Sequence, residues 1–261
     1  METVDIAVGS LLLSFLLLAV PAYLSAAYGI GLNRQLFRSV ARMSVQLALV
    51  GVFLKYLFRW NHPVANVAWL AVMVLVAVLS AVQSSSLRAS KLLPPTFASF
   101  CAVTFAVVLY LNALVIRVKA LDARYLIVLG GMLLGSSLRG NIVGISAFYS
   151  NIRKDVRRYL YTLALGASPR EALLPYLRES VRLALQPTLA SMATMGIVAL
   201  PGMMTGVILG GASPEVAIKY QIMIMIAIVV STMASVVLTI LLTRRVCFTK
   251  YGTLREEVFT A

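Results

Sequence analysis

A run of twenty-three residues without a single charge, Ile6 to Tyr28, constrains this chain more than any other feature. At about 1.5 Å of rise per residue, a helix of that length crosses the roughly 30 Å hydrocarbon core of a bilayer. Three more stretches do the same: Val64 to Val82, closed by Gln83-Ser84-Ser85-Ser86; a segment opened by Pro94-Pro95 and ending near Ile116; and Tyr220 to Thr243. The chain is 61% hydrophobic and 12% charged, against about 45–50% and about 25% for soluble domains. A cytosolic enzyme, a nucleic-acid binder and a disulfide-stapled secreted domain are excluded, and the expected surroundings are lipid.

Three further spans need argument. Between Arg42 and Lys55 only twelve residues are uncharged, but arginine and lysine stems extend along lipid, so a helix from about Ser39 to Phe58 is expected to span. Tyr125 to Tyr149 has the right length and is interrupted by Arg139 and Asn141. Leu183 to Ala212 is longer than needed and is divided by Pro201-Gly202, which predicts a kinked or broken helix there. The expected fold is a single all-α membrane domain over residues 1–261, with about seven transmembrane helices.

The +14 balance sets its orientation, because basic loops stay in the cytoplasm. With the N-terminus outside, sixteen lysines and arginines fall inside, among them Arg34, Arg38, Arg42, Arg88, Lys91, Arg244, Arg245, Lys250 and Arg255, against six outside. Anionic lipid heads are a second use for the same charge. The C-terminal tail, 244–261, is then cytoplasmic. The first apolar run is too long for a typical signal-peptide core and starts with Glu2 and Asp5, so it is expected to remain as a span.

Cys101 and Cys247 lie far apart in or beside apolar runs and suit packing, and the lone histidine, His62, sits in the turn signal Trp60-Asn61-His62-Pro63. The chain contains no G-x-x-x-x-G-K-[ST] phosphate loop, no H-E-x-x-H and no G-x-S-x-G elbow. The firm spans also lack the carboxylates that ion-coupled carriers place at membrane depth. If this chain transports, another subunit is expected to supply the energy.

The hydrophilic stretch 150–182 is where such a subunit would attach. Asn151 to Leu165 reads as a basic helix containing Arg157 and Arg158. Gly166-Ala167-Ser168-Pro169 then supplies a C-cap glycine, an N-cap serine and a first-turn proline, and Glu171 completes a capping box beside Arg170. Two helices meeting at a rigid corner are predicted.

This corner, with Leu185-Gln186-Pro187 downstream, resembles the coupling loop of ABC-transporter permeases. Further pieces extend the likeness: Ser39-Val40-Ala41-Arg42 with Gln46-Leu47 and Gly51, Leu200-Pro201-Gly202-Met203-Met204-Thr205-Gly206, and Gly211-Ala212-Ser213-Pro214 with Ala217-Ile218-Lys219-Tyr220-Gln221-Ile222. Together they look like the FetB-type permease family, which contains bacterial permeases implicated in iron export and plant relatives linked to aluminium tolerance. The likeness runs from about Asn33 to Thr243. The chain departs from it at Leu160-Tyr161-Thr162, where many importers carry Glu-Ala-Ala, and at Ser136, which follows Gly135 where an asparagine is usual.

The resemblance implies the permease of an inner-membrane ABC exporter for iron or another metal. It implies a homodimer joined to a separate ATPase, with ATP and magnesium on that partner and no cofactor on this chain. Ser168 and Pro169 would shape the docking corner, while Arg157, Arg158 and Arg170 would meet acidic ATPase surface. An ion-coupled carrier or channel, and an ATPase-linked scaffold that moves nothing, are the rival classes.

For the path, Pro201-Gly202 frees backbone carbonyls that lipid cannot satisfy, which predicts an irregular gate. Met192, Met195, Met203 and Met204 cluster around it; as thioethers they are soft ligands, and methionine is also a flexible core filler. Arg139 either attracts an anionic or chelated substrate or extends to the inner interface. Gln46 and Asn141 read as interhelical hydrogen-bonders. The glycines at 130, 131, 135, 140 and 144 allow close helix approach within the chain or between copies.

Overall fold

The computed structural model describes residues 7–84, 89–249 and 252–255; Ser85, Ser86, Arg88 and Lys250 of the expected loops lie outside these. The described residues form helices α1 (Val8–Phe15) and α2 (Ala19–Ala27), joined by a 3-10 turn, then α3 (Asn33–Trp60), α4 (Pro63–Ser84) and α5 (Ala89–Tyr110), which ends in a π-helical turn. Next come α6 (Ala123–Lys154), α7 (Val156–Ala164), α8 (Pro169–Thr194), α9 (Gly202–Leu209) and α10 (Pro214–Cys247). Among the described residues the only β-features are two isolated bridges, Met195 with Ala199 and Phe248 with Leu254. The fold is all-α, as the apolar runs require.

Among the described residues, six helical stretches are long and apolar enough to cross a membrane: Gly9–Ala27, Asn33–Trp60, Pro63–Ser84, Leu92–Ile116, Ala123–Lys154 and Pro214–Cys247. The expected seventh, Leu183–Ala212, is not one helix. Its first part completes α8, the chain breaks at Gly196 (φ 88°), and Pro201 caps the eight-residue α9. Proline has no N–H to continue a helix, and at about 1.5 Å per residue α9 spans only about 12 Å. Two other boundaries also shift. Pro94 and Pro95 sit inside α5 rather than opening it, and the basic helix expected over Asn151–Leu165 is divided at Asp155, its first residues belonging to α6.

The bundle is organised around α6 and α10, with α4, α5 and α8 packed against them. Glycine makes the central contact possible. A Cβ at Gly144 would lie 2.7 Å from Val236 Cγ1 and one at Gly140 would strike Thr232 Cγ2, while at Gly130 it would meet Leu70 of α4 at 2.6 Å. These small residues serve packing within the chain; Gly135, by contrast, faces open space.

A polar seam accompanies this contact. Asn141 donates to Ser235 Oγ (2.7 Å), Ser99 to the Ser235 carbonyl (3.1 Å), Thr239 to Ser99 (2.9 Å) and Tyr149 to Thr243 (2.8 Å). Buried groups of this kind hold helices together where lipid offers no competing partner. Cys101 and Cys247 are both in the thiol form, half-buried and buried respectively.

The N-terminal helices stand apart. Only 6% of each of the first two apolar windows is buried, against 56% for α6 and 44% for α10. α3 touches the rest near its end, where Leu57 packs with Ala123 and Ile127. Asn61 caps it in the left-handed conformation (φ 41°), accepts from Asn66 Nδ2 (3.1 Å) and Ala123 N (2.9 Å), and donates to Asp122 (3.2 Å). Gln46, expected to bond between helices, is exposed.

Candidate functional site

The corner between α7 and α8 forms as the residues dictate. Gly166 takes φ 90°, a region closed to most side chains. Its N–H donates to Leu163 O (3.0 Å) and that of Ala167 to Thr162 O (3.3 Å), the paired bonds that end a helix on a left-handed residue. The chain then reverses into α8. Ser168 Oγ accepts from Glu171 N (3.3 Å), and Glu171 Oε2 accepts from Ser168 N (2.8 Å) and Ser168 Oγ (2.7 Å), completing the capping box. Those hydrogen bonds, the hydroxyl's first, hold the Glu171 carboxyl below its usual range. Pro169 occupies the first helical position. Arg157, Arg158 and Arg170 are all exposed and free to meet another surface.

The chain's own C-terminal segment buttresses this corner, which sequence reasoning missed. After α10 the chain turns back as a short hairpin, with Phe248 bridged to Leu254 and Arg255 N donating to Cys247 O (3.0 Å). Tyr159 of α7 is buried and its phenol donates to the Gly252 carbonyl (2.7 Å). Phe248 lies edge-on to Tyr159 at 6.1 Å and tilted against Tyr149 at 6.4 Å. The available signal was Gly252 between threonine-rich flanks, a turn marker in a stretch otherwise read as tail.

The corner therefore sits beside the end of α10. Ser168, Pro169 and Arg170 line one cavity with Arg244 and Arg245, while Met192 and Met195, at the far end of α8, line another with Ile218 and Gln221. α8 thus runs antiparallel to α10 along most of its length, and at 26 residues it is about 39 Å long.

The predicted path residues are divided by the fold. Pro201 is half-buried and Gly202 exposed at the start of α9, at the end of the bundle opposite the corner. Met203 packs against the main core and lines a cavity of about 560 Å³ with Phe58, Asn61, Asp122, Tyr125 and Tyr220. Met204 faces away from it, into a cavity of about 410 Å³ shared with Met192, Met195 and Met225. Gln221 Nε2 donates there to Met195 Sδ (3.6 Å), and its amide oxygen is buried without a partner. Met203 is thus separated from Met195 and Met204.

Arg139 lies near the middle of the 32-residue α6, more than about 20 Å from either end of the helix. Its side chain points out of the protomer, with one long contact to Ser136 Oγ (3.4 Å). A guanidinium within a span is costly unless protein or water faces it.

Against this geometry, comparison with known sequences is informative. The chain is 28% identical over 250 residues to the UPF0014 membrane protein YjkA of Bacillus subtilis, covering 95% of this chain and 97% of that one. It is 31% identical over 242 residues to the Probable iron export permease protein FetB of Escherichia coli, covering 90% of each. It is also 30% identical over 239 residues to the Protein ALUMINUM SENSITIVE 3 of Arabidopsis thaliana, covering 91% of this chain and 86% of that protein. No solved structure gives a significant match. The model of the family described as "Uncharacterised protein family (UPF0014)" matches residues 8–248, so this multi-pass membrane protein belongs to the UPF0014 family.

Proposed function

We propose that this chain is the permease subunit of an ATP-driven exporter, moving iron or another metal outward across a bacterial-type inner membrane. The observation that carries the reading is the 31% identity to a protein named as an iron export permease, spread over 90% of both chains. The capped corner at Gly166–Glu171 supports it, since a separate ATPase needs a rigid protrusion to push, and exposed Arg157, Arg158 and Arg170 give that protrusion a basic surface.

In this reading α8 is the seventh crossing helix, which puts the N-terminus outside and the corner with the C-terminus inside. Force on the corner would pass into α8 through its capped first turn and into α10 through the hairpin bonded to Tyr159. The bundle would transmit both to the Pro201-Gly202 region, 195–213, where access would switch. The barely buried α1–α3 and the outward Arg139 favour a homodimer, in which a second copy covers apolar faces and Arg139 faces the shared interior.

The experiment is co-expression with a candidate ABC-type ATPase subunit and flux in inverted vesicles. Saturable, ATP-dependent metal uptake into the vesicles, absent with a catalytically dead ATPase, is expected. Metal flux by the permease alone, without nucleotide, would replace the reading with an ion-coupled carrier or channel. ATPase binding without flux would leave a scaffold.

A further inference from the structure

Two cavities meet at the end of α10, and their chemistry is complementary. The first, of about 610 Å³, lies between the corner and the C-terminal hairpin and is lined by Arg170, Arg244, Arg245 and Arg255 with Ser168 and Thr249. No acidic side chain is among its lining residues. The N-terminus of α8 opens at its edge, its first amides already capped by Ser168 and the Glu171 carboxylate, so the positive character of the cavity comes from the arginines.

The second, of about 480 Å³, runs along the flank of the bundle between α6, α8 and α10. It shares Arg170, Arg244 and Arg245 with the first and is otherwise walled by Phe148, Leu174, Leu177, Leu238, Leu241 and Leu242. Leu174 and Leu241 are 39% and 41% exposed, so the groove opens sideways, toward the surroundings of the bundle. Guanidiniums therefore stand at the mouth of an apolar channel parallel to the spans.

We propose that these joined cavities hold one anionic phospholipid, its phosphate among Arg244, Arg245, Arg170 and Arg255 and an acyl chain in the leucine-lined groove. The occupant follows from the pairing. A soluble phosphate would satisfy the arginines and leave the groove unexplained, and a zwitterionic lipid would fill the groove and leave the charge uncompensated. Basic pockets between spans at the cytoplasmic face suit acidic headgroups for this reason, and planar guanidiniums bind phosphate oxygens in pairs. Glu256 and Glu257 follow Arg255 in the sequence and lie outside the described residues; even with both seated there, four arginines leave two positive charges. Because the lipid would bridge the corner and the end of α10, its binding would bias the element that the proposed ATPase moves.

The test is native mass spectrometry of the purified full-length protein in neutral detergent, titrated with phosphatidylglycerol, phosphatidylcholine of the same chains, or inorganic phosphate. It uses no nucleotide or ATPase, so its result is independent of the transport reading. One phosphatidylglycerol is expected to be retained roughly tenfold better than phosphatidylcholine, and Arg244→Gln with Arg245→Gln should abolish that preference. Arg244→Lys with Arg245→Lys should restore most of it. Leu241→Trp, at an exposed groove position, should weaken retention with every arginine in place. Equal retention of both lipids, indifference to the arginine pair, or displacement of the lipid by phosphate at similar concentration would each overturn the proposal.

Discussion

The phenol of Tyr159 donates a 2.7 Å hydrogen bond to the carbonyl of Gly252, tying the helix before the corner to residues 93 positions later. Gly252 has φ 78°, and a Cβ there would meet Leu163 Cδ1 at 3.3 Å, Tyr159 Oη at 3.5 Å and Pro169 Cγ at 3.9 Å. The hairpin therefore touches both helices of the corner at a residue whose left-handed backbone would strain a side chain and whose Cβ would crowd Leu163. Gly252→Val is expected to release the hairpin, seen as faster proteolysis and amide exchange in α7 with the spans still protected. Tyr159→Phe should do so more weakly, by about 1 kcal/mol. Unchanged exchange in both variants would separate the hairpin from the corner.

Gly166 makes a second, independent test. No heavy atom lies within 4 Å of a Cβ placed there, so its glycine serves conformation alone, at φ 90°. Gly166→Ala should cost about 1–2 kcal/mol at the corner, and Gly166→Val more. With the proposed ATPase present, reduced co-purification and loss of stimulated hydrolysis are expected while the amount of inserted protein is unchanged.

The capping box carries a pH signature. Glu171 accepts from Ser168 in the folded corner, which lowers its carboxyl pKa. A group with a depressed folded-state pKa contributes stability above its unfolded value, about 4.3, and loses it as pH falls through the folded one. The amides of Ser168, Glu171 and Ala172 should therefore lose exchange protection on acidification through and below the usual carboxylate range. Glu171→Gln should flatten that dependence.

Packing at the α6–α10 contact should be intolerant. Gly144→Leu would force side-chain atoms into Val236 and Ala184. Overpacking of this kind costs about 1–3 kcal/mol or more. Poor yield and a lowered thermal midpoint in detergent are expected, whereas Gly135→Ala, in open space, should express normally.

The methionines can be separated by substitution because the fold separates them. Met203→Leu keeps an apolar core side chain and should leave metal resistance intact. Met195→Leu with Met204→Leu changes the thioether cavity; lost resistance would assign substrate contact there, and full resistance would assign packing.

The spans were legible because bilayer thickness sets the length of uncharged run that a helix needs. The corner was legible because each of Gly166, Ser168, Pro169 and Glu171 has one local job, fixed within four residues of sequence. What escaped reading depends on distant partners. The hairpin's Phe248 and Gly252 are received by Tyr149 and Tyr159, about a hundred positions upstream. Whether Asn141 bonds an adjoining helix, or Gln46 does, is decided by which helices approach. In Leu183–Ala212 the break expected at Pro201-Gly202 is present, but its start six residues earlier, after Thr194 and at Gly196, was not anticipated.

The knot at Asn61 has a mechanical meaning. One left-handed amide, with Leu57 on Ala123 and Ile127 and Phe53 on Trp69, holds the end of α3 to α4 and the start of α6, while most of the N-terminal third is exposed. The hinge end of a long lever is thereby fixed at one face of the bundle, so a change at Asn61 or at the Leu57 patch acts on the whole length of α3.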